Sequence, residues 1–109
     1  MAILATVQPT FAGVLLGAVA AAGGGDKFLN DGSVLFYVKN GGGSAVTVTV
    51  EAAGMPGGLS LTDPAISVAA GAEKIAGRFN PTLFNDATGY VNITYSGVTS
   101  VTVSPIRSQ

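Results

Sequence analysis

Six carboxylates, Asp26, Asp31, Glu51, Asp63, Glu73 and Asp86, are the acidic side chains of this chain, and it contains no histidine and no cysteine. Two carboxylates facing each other across a cleft, one with a raised pKa, would suit glycoside hydrolysis. Asp26, Asp31, Asp63 and Asp86 each stand beside Gly, Asn or Pro, where aspartate serves turns, so these positions are assigned to turns and no catalytic residue is expected. Asp26, Asn30 and Asp31 offer oxygen ligands for calcium, yet GGGDKFLNDG lacks EF-hand spacing and Lys27 opposes a cation, so no metal is expected. Without His or Cys there is no thiolate nucleophile, no ordinary zinc or copper site and no neutral-pH general base. The serines and threonines have no partner to activate them, and no Gly-x-Ser-x-Gly elbow is present. The glycine runs 23–25 and 41–43 lack the Gly-Lys-Ser/Thr ending of a phosphate loop and read as turns. No cofactor is therefore expected, and the chain reads as a non-enzyme.

The elements that carry these residues are strands. In Ser33 to Lys39, Val34, Phe36 and Val38 share one face, and Val46, Val48 and Val50 alternate with Thr47, Thr49 and Glu51. The loop 40–44, Asn-Gly-Gly-Gly-Ser, predicts a hairpin between these two strands. A second hairpin is expected around Ala70-Gly71, joining Ile66–Ala69 to Glu73–Ala76. A turn is expected at Ser96-Gly97, between Tyr90–Tyr95 and Val98–Val103, with Pro105 ending the pairing because proline donates nothing to a ladder. Ala53–Pro64, rich in Gly and Pro, reads as a loop or short edge strand around Leu59–Leu61, and 78–89 as a long connection whose Leu83 and Phe84 plug the core. The aromatics Phe11, Phe28, Phe36, Tyr37, Phe79, Phe84, Tyr90 and Tyr95 are too scattered for a sugar-stacking platform and default to packing. Asn92-Ile93-Thr94 matches a glycosylation sequon but lies mid-strand. About seven to nine short strands at roughly ten-residue spacing predict an all-β fold, an antiparallel β-sandwich.

Composition narrows the function. The chain has 109 residues, 48% of them apolar and 10% charged, with five Lys and Arg and a net charge of −1. That is enough apolar material for one core and too little positive charge to track phosphates, so no nucleic-acid partner is expected. The low net charge leaves little repulsion between copies. Gly13–Ala22 is an apolar run of ten, too short to span a bilayer and without a basic flank, so neither a membrane span nor a signal peptide is expected.

The segments GGGDKFLNDGSVLFYVKNGGGSAVTVTV (23–50) and VAAGAEKIAGRFNPTLFNDATGYVNITYSGVTSVTVSPIR (68–107) resemble small virion proteins of tailed bacteriophages, the head decoration or cement proteins. The matching features are the Asn-Asp-Gly turn, the Val-Lys-Asn-Gly hairpin and the Phe-Asn-Asp…Tyr ending. The resemblance implies a sandwich of jelly-roll or immunoglobulin-like type. It further implies a dimer or trimer on the outer surface of the phage capsid that clamps neighbouring major capsid subunits, with no catalytic motif. Residues 1–22 then read as an extended N-terminal segment joined by Gly23-Gly24-Gly25 to a β-sandwich domain at 23–109. Phe11, Val14, Leu15 and Leu16 are its candidate partner-facing residues, the alternative being that the segment forms ordinary strands of the same sandwich. A head–tail joining or fibre-base protein and, further off, a carbohydrate-binding sandwich module are the competing readings.

Overall fold

Alternating Val, Ile and Phe with one polar neighbour per step gives each strand one face to bury, and two sheets closing on that face make the core. The computed structural model describes residues 2–10, 12–13, 17–52, 63–77 and 79–107. Among them are nine strands and one helical turn: β1 (Ala2–Ile3), β2 (Val19–Ala20), β3 (Asp26–Leu29), β4 (Val34–Asn40), β5 (Val46–Val50), β6 (Ala65–Val68), β7 (Glu73–Ala76), α1 (Pro81–Phe84), β8 (Tyr90–Tyr95) and β9 (Val101–Arg107). One sheet runs β1-β3-β8-β5-β6 and the other β2-β9-β4-β7.

The expected all-β sandwich is present, and its connectivity is more specific than the sequence indicated. Strands β2 to β9 pair first with last: β2 with β9, β3 with β8, β4 with β7 and β5 with β6, all antiparallel. The pairs β9·β4 and β8·β5 then join these ribbons into two four-stranded sheets. A long antiparallel ribbon rolled up in this nested way is the jelly-roll topology. β1 is added in parallel on the free edge of β3.

The two predicted hairpins are not formed, and the turn at Ser96-Gly97 does not join paired strands. β4 and β5, β6 and β7, and β8 and β9 each lie in opposite sheets, so each expected turn is a corner that crosses the sandwich. Periodicity fixes which face of a strand is buried but not which strand lies beside it, and a loop of four or five residues can turn a hairpin or a corner. Val34, Phe36 and Val38 therefore face Val46, Val48 and Val50 across the core instead of lying alongside them. Pro105 also differs from expectation: it lies within β9, opposite Phe36. Its carbonyl accepts from Val7 N–H at 2.9 Å, on the side of the strand away from β4. A residue's N–H and C=O point the same way in a strand, so the missing donor costs the β9·β4 ladder nothing.

The core is Phe28, Val91, Ile93, Val46, Val48, Val50 and Val68 from one sheet against Val34, Phe36, Val38, Val101 and Val103 from the other. Phe79 and the partly buried Phe84 close one end; Phe84 is there as expected, but its partner in the core is Phe79 and not Leu83, which is not among the described residues packed against the core. α1 is a single turn that the sequence pattern did not reveal; it begins with Pro81, and Asn80 caps it by accepting from Thr82 N–H at 2.9 Å. The strand expected near Leu59–Leu61 lies outside the described residues.

The N-terminal segment joins both sheets. After β1, Leu4 N–H donates to the Lys27 carbonyl at 2.8 Å and its side chain enters the core; Val7 then forms a parallel bridge to Ile106. Residues 2–7 thus cross the open side of the sandwich from the edge of β3 to the edge of β9. The chain returns at β2 to the same edge of β9, and Ala21 is buried. The described residues between, 8–10, 12–13 and 17–18, are exposed.

Candidate partner-binding surface

Rolling the ribbon gathers loops that are far apart in sequence. At one end meet 21–25 (Ala-Ala-Gly-Gly-Gly), 41–45 (Gly-Gly-Gly-Ser-Ala), 69–72 (Ala-Ala-Gly-Ala) and 96–100 (Ser-Gly-Val-Thr-Ser). Gly41 N–H donates to the Ser100 carbonyl, Gly71 N–H to the Asn40 carbonyl, and Ala21 N–H to the Val101 carbonyl, at 2.8–2.9 Å. None of these loops carries a charge, so the end is a cap of small side chains and bare backbone. Loops 42–46 and 96–99 leave between them an open cleft of about 360 Å³.

Two kinds of glycine make this cap. A Cβ on Gly41 would lie 3.1 Å from the Ser100 carbonyl and one on Gly42 3.0 Å from the Thr99 carbonyl, so a side chain at either would press loop 96–100 outward by a few tenths of an ångström. Gly23, Gly24, Gly43 and Gly97 have nothing within 4 Å of a built Cβ and do not have positive φ. At these four positions the fold itself does not ask for glycine. They leave the backbone open to close approach from outside.

The opposite end is polar and tied to itself. The Asn30 amide donates to the Phe79 carbonyl at 2.9 Å and to Asn85 Oδ1 at 2.8 Å, and the Asn85 amide donates back to the Asn30 carbonyl. Asp31 accepts from the Ser33 hydroxyl and N–H and pairs with Arg107; these bonds hold its carboxyl down at about 2. Asp86 accepts from the Asn92 amide, the Thr88 hydroxyl and the N–H groups of Thr88 and Tyr90, and lies well below the usual carboxylate range. Asp63 at this end accepts from Ala52 N–H, while Glu73, which follows the cap loop 69–72 on β7, accepts from the Tyr37 hydroxyl. The turn assignment of Asp31 and Asp86 therefore agrees with their bonding.

Asp26 does not belong with them. It is the first residue of β3, faces inward and is 1% exposed, where its Oδ2 accepts from the Tyr95 hydroxyl at 2.7 Å and from Ala22 N–H at 3.2 Å. The glycines before it masked its strand position. Burial, then the bond to Asp26 and its negative charge, push the Tyr95 phenol far above its ordinary value. The folded state consequently keeps a proton that an unfolded tyrosine releases near pH 10, so stability falls as pH rises past that point. Because Tyr95 is partly exposed, we expect at most about 1 kcal/mol lost per pH unit between pH 10 and 11, checked by urea midpoints. Tyr95→Phe should remove most of that slope.

Among the described residues no group of three acidic side chains is placed to hold a metal ion. The candidate interface residues Phe11, Val14, Leu15 and Leu16 lie outside the described residues. Of the aromatics, Phe28, Phe36 and Phe79 are core. Tyr90, under the Lys27 ammonium at 4.7 Å, and Tyr37 lie on the outer faces of opposite sheets and cannot share one sugar. Compared with known protein families, curated proteins and solved structures, the chain matches none. The cap at the loop end is thus the surface that geometry singles out, and linear reading passed over it because its four pieces look like four ordinary turns.

Proposed function

We propose that the chain is a structural virion protein of a tailed bacteriophage, a decoration protein that binds the outside of the head as a dimer or trimer and clamps neighbouring major capsid subunits without catalysis. The observation that carries this reading is the uncharged loop end, where glycines that neither φ nor space requires leave backbone open to a partner's close approach. Two further features support it. The space between the sheets is filled by Phe, Val and Ile side chains. The buried Asp26, Asn30 and Asn40 are bonded within the fold, as structural polar groups are. Such a module offers its outside to partners, and many weak identical contacts sum on a symmetric shell.

The test uses heads of the parent phage purified without this chain. The wild-type protein should co-sediment with them at a fixed copy number. Gly43→Arg combined with Gly97→Arg should weaken binding on the order of 100-fold, because each buries a charge against the shell. The open space at both positions leaves stability within about 0.5 kcal/mol of wild type. Wild-type protein that fails to sediment with heads defeats the proposal, and a double variant that binds normally removes the loop end as the contact.

A further inference from the structure

We infer that residues 2–7 are an exchangeable strap that leaves its own sandwich and seats in the same slot of a second copy, linking copies by strand exchange. The eight strands β2 to β9 complete the jelly roll without it. What the strap covers is a slot between the free edge of β3 on one sheet and, on the other, the stretch Pro105–Arg107 of β9 that β2 leaves unpaired. It is held there by β1 pairing in parallel with Asp26 and Lys27, by Leu4 in the core, and by Val7, which donates to the Pro105 carbonyl and accepts from Arg107 N–H. This is a complete binding mode for an extended peptide, combining backbone bonds to two edges with one apolar anchor, and its occupant is already known to fit.

The tether favours exchange over permanent closure. Residues 8–18 join Val7 to β2, and both ends lie on the same edge of β9, at Ile106 and at Val103. Three residues of strand separate those points, roughly 10 Å, whereas eleven extended residues span roughly 36 Å. The described tether residues are exposed, and the hydrogen bonds described among them join Thr10 and Gly13 to each other. A tether this much longer than its span holds the strap at an effective concentration of only about millimolar. Copies packed on a shell reach that concentration, and an exchanged strap makes the same contacts in its neighbour. The lattice setting rests on the decoration reading above; the exchange itself does not.

The chain has no cysteine, so an introduced pair reports alone. Ile3, 64% exposed, is the register partner of the half-buried Lys27. Ile3→Cys with Lys27→Cys, equilibrated and then oxidised, should give covalent dimer and internally bridged monomer in comparable amounts at about 1 mM and almost only the monomer at about 10 µM on a non-reducing gel. Internal disulfide alone at both concentrations overturns the proposal. If the double variant does not fold, single-cysteine chains are mixed at about 1 mM. A disulfide between an Ile3→Cys chain and a Lys27→Cys chain, in excess over the two like pairs, supports exchange, and a purely statistical mixture overturns it. No heads are used, so failure here leaves the decoration reading standing, and failure to bind heads leaves the exchange standing.

Discussion

Phe36→Ala is expected to lower stability by about 3–5 kcal/mol, enough to leave a domain of this size partly unfolded at 37 °C. Phe36 is fully buried on β4, and its ring stacks on Phe28 of β3 in the opposite sheet, with centroids 5.6 Å apart and planes 10° from parallel. Phe28 in turn meets Phe79 at 5.9 Å, and Phe79 meets Phe84 edge-on at 5.8 Å. The four rings form one path from mid-core to the end closed by α1, and Phe36 is its anchor in the second sheet. Truncation loses the transfer free energy of a buried ring and leaves a cavity whose walls, rigid strands of both sheets, cannot close in. Urea unfolding followed by circular dichroism measures the loss. Phe36→Leu, which keeps most of the volume, should cost less than about 1.5 kcal/mol. A loss below about 1 kcal/mol for the alanine variant would show that the two sheets do not meet at this stack.

The same residues show what linear reading could reach. Val34, Phe36 and Val38 announce their buried face through a period of two, and all three are buried. The neighbours of β4, however, are β9 and β7, more than thirty residues away, and nothing in the spacing of 33–51 distinguishes that arrangement from a local hairpin. Short glycine loops are compatible with both, and the choice is made by the whole roll, in which each sheet must bury one face against the other. Asp26 escapes linear reading for a related reason: Gly23-Gly24-Gly25 looks like a turn that would continue through the aspartate, while the strand begins at that residue. The uncharged cap was visible only as four separate Gly- and Ala-rich loops. Its unity depends on the nested pairing, a property of contacts and not of any window of sequence.

Asn40→Ala is expected to cost about 2–4 kcal/mol and to disorganise the cap. Asn40 ends β4 with its side chain fully buried at the corner where two of the four loops begin. Its amide donates to the Val68 carbonyl at 3.1 Å and the Ser44 carbonyl at 2.7 Å, and its Oδ1 accepts from Gly42 N–H at 3.0 Å. One side chain therefore ties β6 of the other sheet to loop 41–45. Its own backbone adds two bonds to loop 69–72, donating to the Ala72 carbonyl and accepting from Gly71 N–H. Alanine would leave the carbonyl of buried Val68 without this donor, a larger penalty than a lost surface bond. Asn40→Asp is the sharper probe. At neutral pH it turns a carboxylate toward two carbonyl oxygens and should be at least as destabilising as alanine. It should recover part of the loss below about pH 4, where the acid is protonated and can donate once. Thermal midpoints of the two variants at pH 7 and pH 3.5 test this, and an aspartate variant that gains nothing on acidification would contradict it. The contrast with Gly43→Arg and Gly97→Arg is informative for function. The paired arginines should weaken head binding on the order of 100-fold with stability intact, whereas Asn40→Ala should weaken binding only in step with the cap's loss of order. If both routes reduce binding, the contact depends on the shape of the cap as well as on its lack of charge.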